Sequence, residues 1–265
     1  MSGDTRITAR HLRMRFPLGR GELVALDDVN LRVAEQEFCC IVGPSGCGKS
    51  TLLRILAGLE RQTGGELHLE VSDPGRPLTA MVFQEQSIFP WMTVEQNVGY
   101  GLRMRGVHPT VRRDIVEHYV EKVGLTRFAK AYPHQLSGGM KQRASVARAF
   151  ATDPQVLLMD EPFASLDEQT RVLLQEELLR VWESNRKTVV YITHSIDEAI
   201  VLGDRVLVMS ARPGRIKAEI AVDLPRPRSV YELKSTAAFS ELVARVWEPL
   251  RQEVLTSFGT LATAS

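Results

Sequence analysis

The stretch Phe38–Thr51, FCCIVGPSGCGKST, constrains the fold of this chain more than any other. An unbroken apolar run enters a loop with glycines at 43, 46 and 48, and the helix-forming run LLRILAGL follows. An apolar run of this length, ended by polar residues, suits a strand buried on both faces, as in a parallel sheet. GxxxxGK[ST] between a strand and a helix curls backbone N–H groups around an anion, and the helix N-terminus adds favourable partial charge. Chance alone produces the pattern in about one chain of this size in a hundred, and the flanking strand and helix lower that further. Gly43, Pro44, Ser45, Gly46, Cys47, Gly48, Lys49, Ser50 and Thr51 are therefore read as a nucleotide cradle. Lys49 is expected to reach the β- and γ-phosphates and Ser50 to ligate Mg²⁺. Cys47 reads as a small loop residue whose alkylation should crowd the phosphates and block binding.

Other apolar runs end in polar residues in the same way. Val156–Met159 leads into Asp160 and Glu161, Val189–Ile192 into Thr193 and His194, and Met81–Phe83 into Gln84. In an open α/β sheet the ligand lies beyond the carboxyl ends of the strands, so these residues are positioned to share one site. Asp160 is expected to hold Mg²⁺ through water. Glu161, one residue further, is expected to orient and deprotonate the attacking water. His194 is expected to contact the γ-phosphate, and Gln84 to reach the metal or the water. Val206–Met209 is a further strand candidate, ahead of a turn at Pro213-Gly214.

The remaining residues bound the function. Lys plus Arg is 33 and Asp plus Glu is 32, a balance that excludes a global attraction to nucleic acid or anionic lipid. The three cysteines, Cys39, Cys40 and Cys47, form no CxxC pair and point to a reducing compartment. MSGDTRITARHLRMRF has no apolar segment of signal-peptide type, and no run approaches the ~18 apolar residues that span a bilayer. Any action at a membrane is expected to need a recruiting partner. Between Val94 and Ala151 the chain is charged and helix-like, which predicts a helical subdomain inserted into an α/β core. Thr110–Val123 carries apolar residues at helical spacing, with Thr110 as N-cap. DLPRPR, Asp223–Arg228, reads as a linker into a short helical tail.

Leu136–Arg143, LSGGMKQR, makes a second glycine-led helix start. Together with the phosphate loop it resembles the ABC ATPase family, whose signature is LSGGQ. The resemblance runs from about Arg6 to Ile220 with motifs in family order. It implies an α/β, RecA-like P-loop NTPase core with a parallel sheet and an inserted helical subdomain. The core would be about 1–84 and 155–228, the subdomain about 85–154, and the tail 229–265. It further implies ATP hydrolysis in a head-to-tail dimer, where Ser137, Gly138 and Gly139 of one subunit close over ATP held by the other. Phe16 matches the aromatic that stacks on adenine, Gln84 the Q-loop, and Ala164–Asp167 the D-loop, with Asp167 near the nucleotide. Asp160, Glu161 and His194 match the Walker B aspartate, the catalytic base and the switch histidine. Met140 stands where the family usually has Gln, which leaves the loop chemistry to Ser137, Gly138 and Gly139.

Phe89-Pro90-Trp91-Met92-Thr93, DEPFASLDEQTR and MSARPGRI narrow the resemblance to importer ATPases for nitrate, sulfonates and taurine. In such importers the Q-loop and helical subdomain form a groove for a permease helix, and Phe89, Trp91 and Met92 are candidates to line it. The implied partners are a second copy, two transmembrane permease subunits and, indirectly, an extracytoplasmic solute-binding protein, with the chain itself on the cytoplasmic face of the membrane. A chromosome or DNA-repair ABC ATPase is the first alternative. The short gap between phosphate loop and signature, without heptads, argues against it. A small-molecule P-loop kinase is the second, and it leaves LSGGMKQR and His194 unexplained.

Overall fold

The computed structural model describes residues 5–19, 21–84, 87–164, 166–184 and 186–262, with side chains described as far as 256. The chain divides into two compact units, one made of residues 1–71 and 186–265 and the other of residues 72–185.

The first part of the first unit holds β1 (Thr5–Leu18), β2 (Gly21–Ala34), β3 (Phe38–Val42), α1 (Lys49–Leu56) and β4 (Gly64–Leu69). The second unit holds β5 (Thr79–Val82), α2 (Val94–Met104), α3 (Pro109–Lys122), α4 (Gly138–Ala151), β6 (Val156–Asp160) and α5 (Glu168–Ser184). The chain then returns to the first unit with β7 (Thr188–Ile192), α6 (Ile196–Leu202), β8 (Arg205–Met209), β9 (Ile216–Ala221), α7 (Val230–Lys234) and α8 (Ala237–Ala262).

In the first unit β3 is flanked by β7 and β8, both parallel to it, and β9 adds antiparallel to β8. Every residue of β3 and β7 is buried. This explains the unbroken apolar runs, because a central parallel strand has no polar face to show. Each such Val, Ile or Leu contributes about 1.5–3 kcal/mol through burial. A separate antiparallel sheet runs β2-β1-β4. Its long β1–β2 ladder shifts register around His11 and Asp28, both in the left-handed region at φ 49° and 54°.

In the second unit β5 and β6 form a parallel pair. The helical part packs around Val94, Val98 and Leu102 of α2, Val116 and Val120 of α3, and Ala144 and Ala147 of α4. Thr93 starts α2 with a capping box to Gln96. The α3 helix begins at Pro109, with His108 in the N-cap position rather than Thr110. Proline has no N–H to satisfy and a φ already suited to a first turn, so it takes the start from the threonine that follows it.

DLPRPR does more than link. Arg228 is buried, and its Nη1 donates to the carbonyls of Ile200, Val201 and Gly203 at 3.1, 3.0 and 2.7 Å. Arg226 Nη2 donates to the Leu202 carbonyl at 2.6 Å. Two guanidiniums thus cap the C-terminus of α6, where carbonyls lack helical partners and the dipole favours positive charge. The tail beyond them packs on the same unit through Phe239, Leu242, Val246 and Leu250, while Trp247 stays 45% exposed. Replacing Arg228 with Ala is expected to remove on the order of 2–3 kcal/mol, the worth of charge-assisted bonds to buried carbonyls. A lower urea midpoint in equilibrium unfolding checks this.

Candidate functional site

In the first unit the candidate site grows from the carboxyl end of β3. The chain leaves Val42, passes through residues 43–48 and enters α1 at Lys49. Gly48 occupies the N-cap at φ 105°, where an added Cβ would lie 2.8 Å from both the Ala25 carbonyl oxygen and Leu26 Cδ2. Only glycine satisfies both the dihedral and the approach of β2. Lys49 is buried, and its ammonium donates to the carbonyls of Gly43 and Pro44 at 2.8 and 2.9 Å. The loop fixes its one cation while its crest, Ser45 and Gly46, faces solvent. Ser50 and Thr51 follow in the first turn of α1, both half-buried.

Cys47 differs from expectation. Its side chain is 1% exposed, and a Cβ built on Gly43 would lie 3.0 Å from its sulfur. Burial pushes its thiol above the usual range, outweighing the charge of Lys49 and the local backbone N–H groups. The thiol points into the protein beneath the loop and is not the accessible nucleophile that an alkylation block needs. Any contact of this residue with an anion comes from its backbone.

His194 stands two residues beyond the end of β7, next to β3. Ile41 and Ile192 are in register, and the Thr193 N–H donates to the Ile41 carbonyl at 3.2 Å. The His194 side chain is exposed, whereas its neighbours are fixed by a buried network. The Tyr191 hydroxyl donates to Glu198 Oε1 at 2.8 Å, and the Thr193 hydroxyl donates to the other oxygen of the same carboxylate. Thr193 Oγ1 in turn accepts the Ser195 N–H at 3.0 Å, and Ser195 caps α6 through the Glu198 N–H. The backbone on both sides of His194 is therefore pinned. Glu198 carried no sequence signal beyond its place on a helix. Phe16 is half-buried on the face of β1 that carries Leu12 and Met14, and Met14 is in register with Leu26.

In the second unit β6 runs one residue further than β5, whose last residue, Val82, lies opposite Met159. Two residues past each of these, Gln84 Nε2 donates to Glu161 Oε2 at 3.2 Å. Asp160 and Glu161 are 5% and 7% exposed, so these carboxylates stand at a buried strand end rather than a solvated one. Glu161 also holds φ 45°, a left-handed conformation that a non-glycine residue adopts at a cost of about 1–2 kcal/mol.

Ser137 is the N-cap of α4, its hydroxyl accepting the Met140 N–H at 3.3 Å, and Gly138 and Gly139 form the first turn. The Met140 side chain packs against the apolar cluster of α2, α3 and α4. Methionine at this place serves the core, and the loop presents backbone and Ser137 alone. Asp167 caps α5, accepting the Thr170 N–H at 2.9 Å; this bond chiefly holds its carboxyl below the usual range. Ser165, expected beside it, lies outside the described residues. Arg148 gave no signal in the sequence. From α4 it donates to the Ser87 carbonyl at 2.9 Å and to the Ser87 hydroxyl at 3.0 Å, and it lies 5.4 Å from the centre of the Phe89 ring. It thereby ties the helix that starts at Gly138 to the loop that follows Gln84.

Comparison with known proteins gives this geometry its family. Residues 26–164 match the model of the ABC transporter family. The chain belongs to the ABC transporter ATP-binding family. It is 46% identical to an uncharacterized ABC transporter ATP-binding protein of Methanocaldococcus jannaschii, over 95% of this chain and 94% of the relative. It is 47% identical to the nitrate import ATP-binding protein NrtD of Synechocystis, over 78% of each chain. It is 43% identical to an aliphatic sulfonates import ATP-binding protein, SsuB, of Bacillus cereus, over 87% of this chain and 90% of the relative. A dimeric ATP-binding cassette solved in a post-hydrolysis state with ADP and Pi superposes with a TM-score of 0.73 at 31% identity. That match covers 83% of this chain and 100% of the other. The fold is accordingly the P-loop, ABC-type α/β fold, and the chain is a nucleotide-binding, ATP-hydrolysing subunit of a transporter.

Gly48→Ala is expected to weaken ATP binding by tenfold or more, roughly, since the strained dihedral and the β2 contact must both give way. Gly58→Ala, at φ 71° with nothing within 4 Å, is the matched control and should leave binding intact. Titration of the two variants with a fluorescent ATP analogue compares them directly.

Proposed function

We propose that the chain powers import of a small oxyanion such as nitrate, a sulfonate or taurine, working as a head-to-tail dimer on the cytoplasmic face of a membrane. The relatives named for nitrate and aliphatic sulfonate import support the solute class, and the dimeric cassette supports the pairing. No helix among the described residues is long and apolar enough to cross a membrane, so attachment falls to a permease. A solute-binding protein outside would supply specificity.

One observation carries the catalytic assignment: the Gln84 amide meets the Glu161 carboxylate at a buried, strained strand end. A carboxylate held there, with one oxygen oriented by an amide, is suited to accept a proton from the attacking water. His194 would contact the γ-phosphate, and Lys49 would neutralise the β- and γ-phosphates beside the loop N–H groups. Phe16 would offer its π-face to the adenine. Ser137, Gly138 and Gly139 would close over the nucleotide of the partner subunit, with Asp167 nearby, because a capped helix start presents free N–H groups.

Ser50, Asp160 and Gln84 fit Mg²⁺ by chemistry, since all three present oxygen donors. The Gln84 amide nitrogen is engaged by Glu161, which leaves its carbonyl oxygen for the metal. When bound, the ion would supply positive charge that offsets the charge developing on the phosphates.

The permease contact is assigned to the aromatic turn before α2. Asn97, fully buried, accepts the Phe89 N–H at 2.7 Å and donates to the carbonyls of Phe89 and Met92 at 3.2 and 3.1 Å. That leaves Trp91 69% exposed, beside a cavity of about 580 Å³ lined by Met92, Glu95, Gln96 and Arg103. An exposed tryptophan on a rigid turn is a strong interface anchor.

Glu161→Gln is expected to keep ATP binding, lose hydrolysis by roughly a hundredfold or more and elute as an ATP-loaded dimer in size exclusion. Near-normal turnover would remove Glu161 from the role of base. Trp91→Glu is expected to abolish co-purification of the permease from solubilised membranes while the isolated subunit still hydrolyses ATP. Undiminished recovery of the permease would move its docking site elsewhere.

A further inference from the structure

When successive N–H groups turn toward an anion, the carbonyls between them turn away, and each needs a partner of its own. In this loop Lys49 serves Gly43 and Pro44. The Gly46 carbonyl is served from another part of the chain, by Arg212, whose Nε and Nη2 donate to it at 3.2 and 3.1 Å. The neighbouring Cys47 carbonyl lies so close to Gly214 that a Cβ there would sit 2.2 Å from its oxygen. Arg212 and Gly214 both belong to the turn that joins β8 to β9.

That turn is fastened on two sides. Toward β2, the Gly214 N–H donates to the Ala25 carbonyl at 2.9 Å, and the Asp27 N–H donates to the Gly214 carbonyl at 3.1 Å. Ala25 and Leu26 are the residues that close over Gly48. Toward the C-terminus, Glu253 of α8 accepts the Ala211 N–H at 2.7 Å and pairs with Lys217 of β9. Ala211 immediately precedes Arg212. A continuous set of hydrogen bonds therefore runs from α8 through residues 211–214 to the outer face of the phosphate loop.

We propose that Arg212 is a positioning residue of the phosphate loop and that Glu253 holds the turn which carries it, so that the C-terminal helix sets the affinity for nucleotide. Arg212 binds the carbonyl side of the loop and so orients the N–H groups on the opposite side. The inference rests on residues 43–51 being the nucleotide loop, and the test separates the two.

The experiment is titration of the full-length protein with a fluorescent ATP analogue, alongside steady-state ATPase kinetics. Arg212→Ala should weaken binding and raise the KM for ATP by about tenfold, the loss of a charge-assisted pair of bonds, with kcat falling less. Arg212→Lys, which can still donate one bond to Gly46, should recover part of the loss. Glu253→Ala should raise the KM by about threefold and add nothing in the Arg212→Ala background. Should Glu253→Ala fold poorly, Glu253→Gln removes the charge while keeping the size, and the same cycle is run with it. Wild-type affinity in Arg212→Ala overturns the proposal. So does a lowered Tm with an unchanged KM, or a Glu253 effect that persists in full without Arg212. Wild-type binding by Lys49→Ala would instead overturn the assignment of the loop.

Discussion

Everything at the nucleotide loop depends on where its carbonyls go. Convergent N–H groups make an anion site only if the outward carbonyls are satisfied, since a peptide oxygen without a partner costs roughly what the site gains from an extra donor. Here the partners are two cations, Lys49 from the helix the loop enters and Arg212 from a turn more than 160 residues later. Parallel pairing of β3 with β7 and β8 makes that possible, because it brings three carboxyl ends, and the segments that follow them, to one edge. The loop of residues 43–48 follows β3, His194 follows β7 and Arg212 follows β8, so one sheet edge gathers the three segments.

The second unit meets a different constraint. Asp160 and Glu161 are carboxylates at the end of a fully buried strand, and Glu161 carries an unfavourable dihedral as well. Such a residue persists only where its surroundings over-determine it. The ladder with β5, the amide of Gln84 and the burial of β6 supply that constraint. A carboxylate held in this way has little conformational freedom left to lose, which is the sense in which strain at a site is useful.

Much of this was legible in the chain because the chemistry and the fold use the same residues. FCCIV, VLLM, VVYI and VLVM are strands because central parallel strands must be apolar on both faces, and the polar residues that end them lie at strand ends by the same logic. The long β1–β2 ladder was not legible, because the register shifts at His11 and Asp28 break the alternation that identifies a half-buried strand. Thr110 looked like a cap, but the proline before it was the better start. Cys47 reads as a small loop residue open to alkylation, but the fold turns its sulfur inward. Arg148, Glu198, Arg212 and Arg228 were invisible for a shared reason. Each acts on a backbone group or side chain that folding alone brings near, and one charged residue among many carries no mark of such a partner.

The tail illustrates the same point from the opposite direction. A helix of seven residues such as α6 cannot hold itself together in water, and this one starts two residues after His194. Its N-terminus is secured by Ser195 and Glu198, and its C-terminus by Arg226 and Arg228. Proline and arginine in Asp223–Arg228 look like the composition of a linker, yet both guanidiniums reach back to the same helix end. Residues beyond the ATPase motifs therefore belong to the ATPase mechanically, with one arm of the C-terminal segment on the helix behind His194 and the other on the turn behind the phosphate loop.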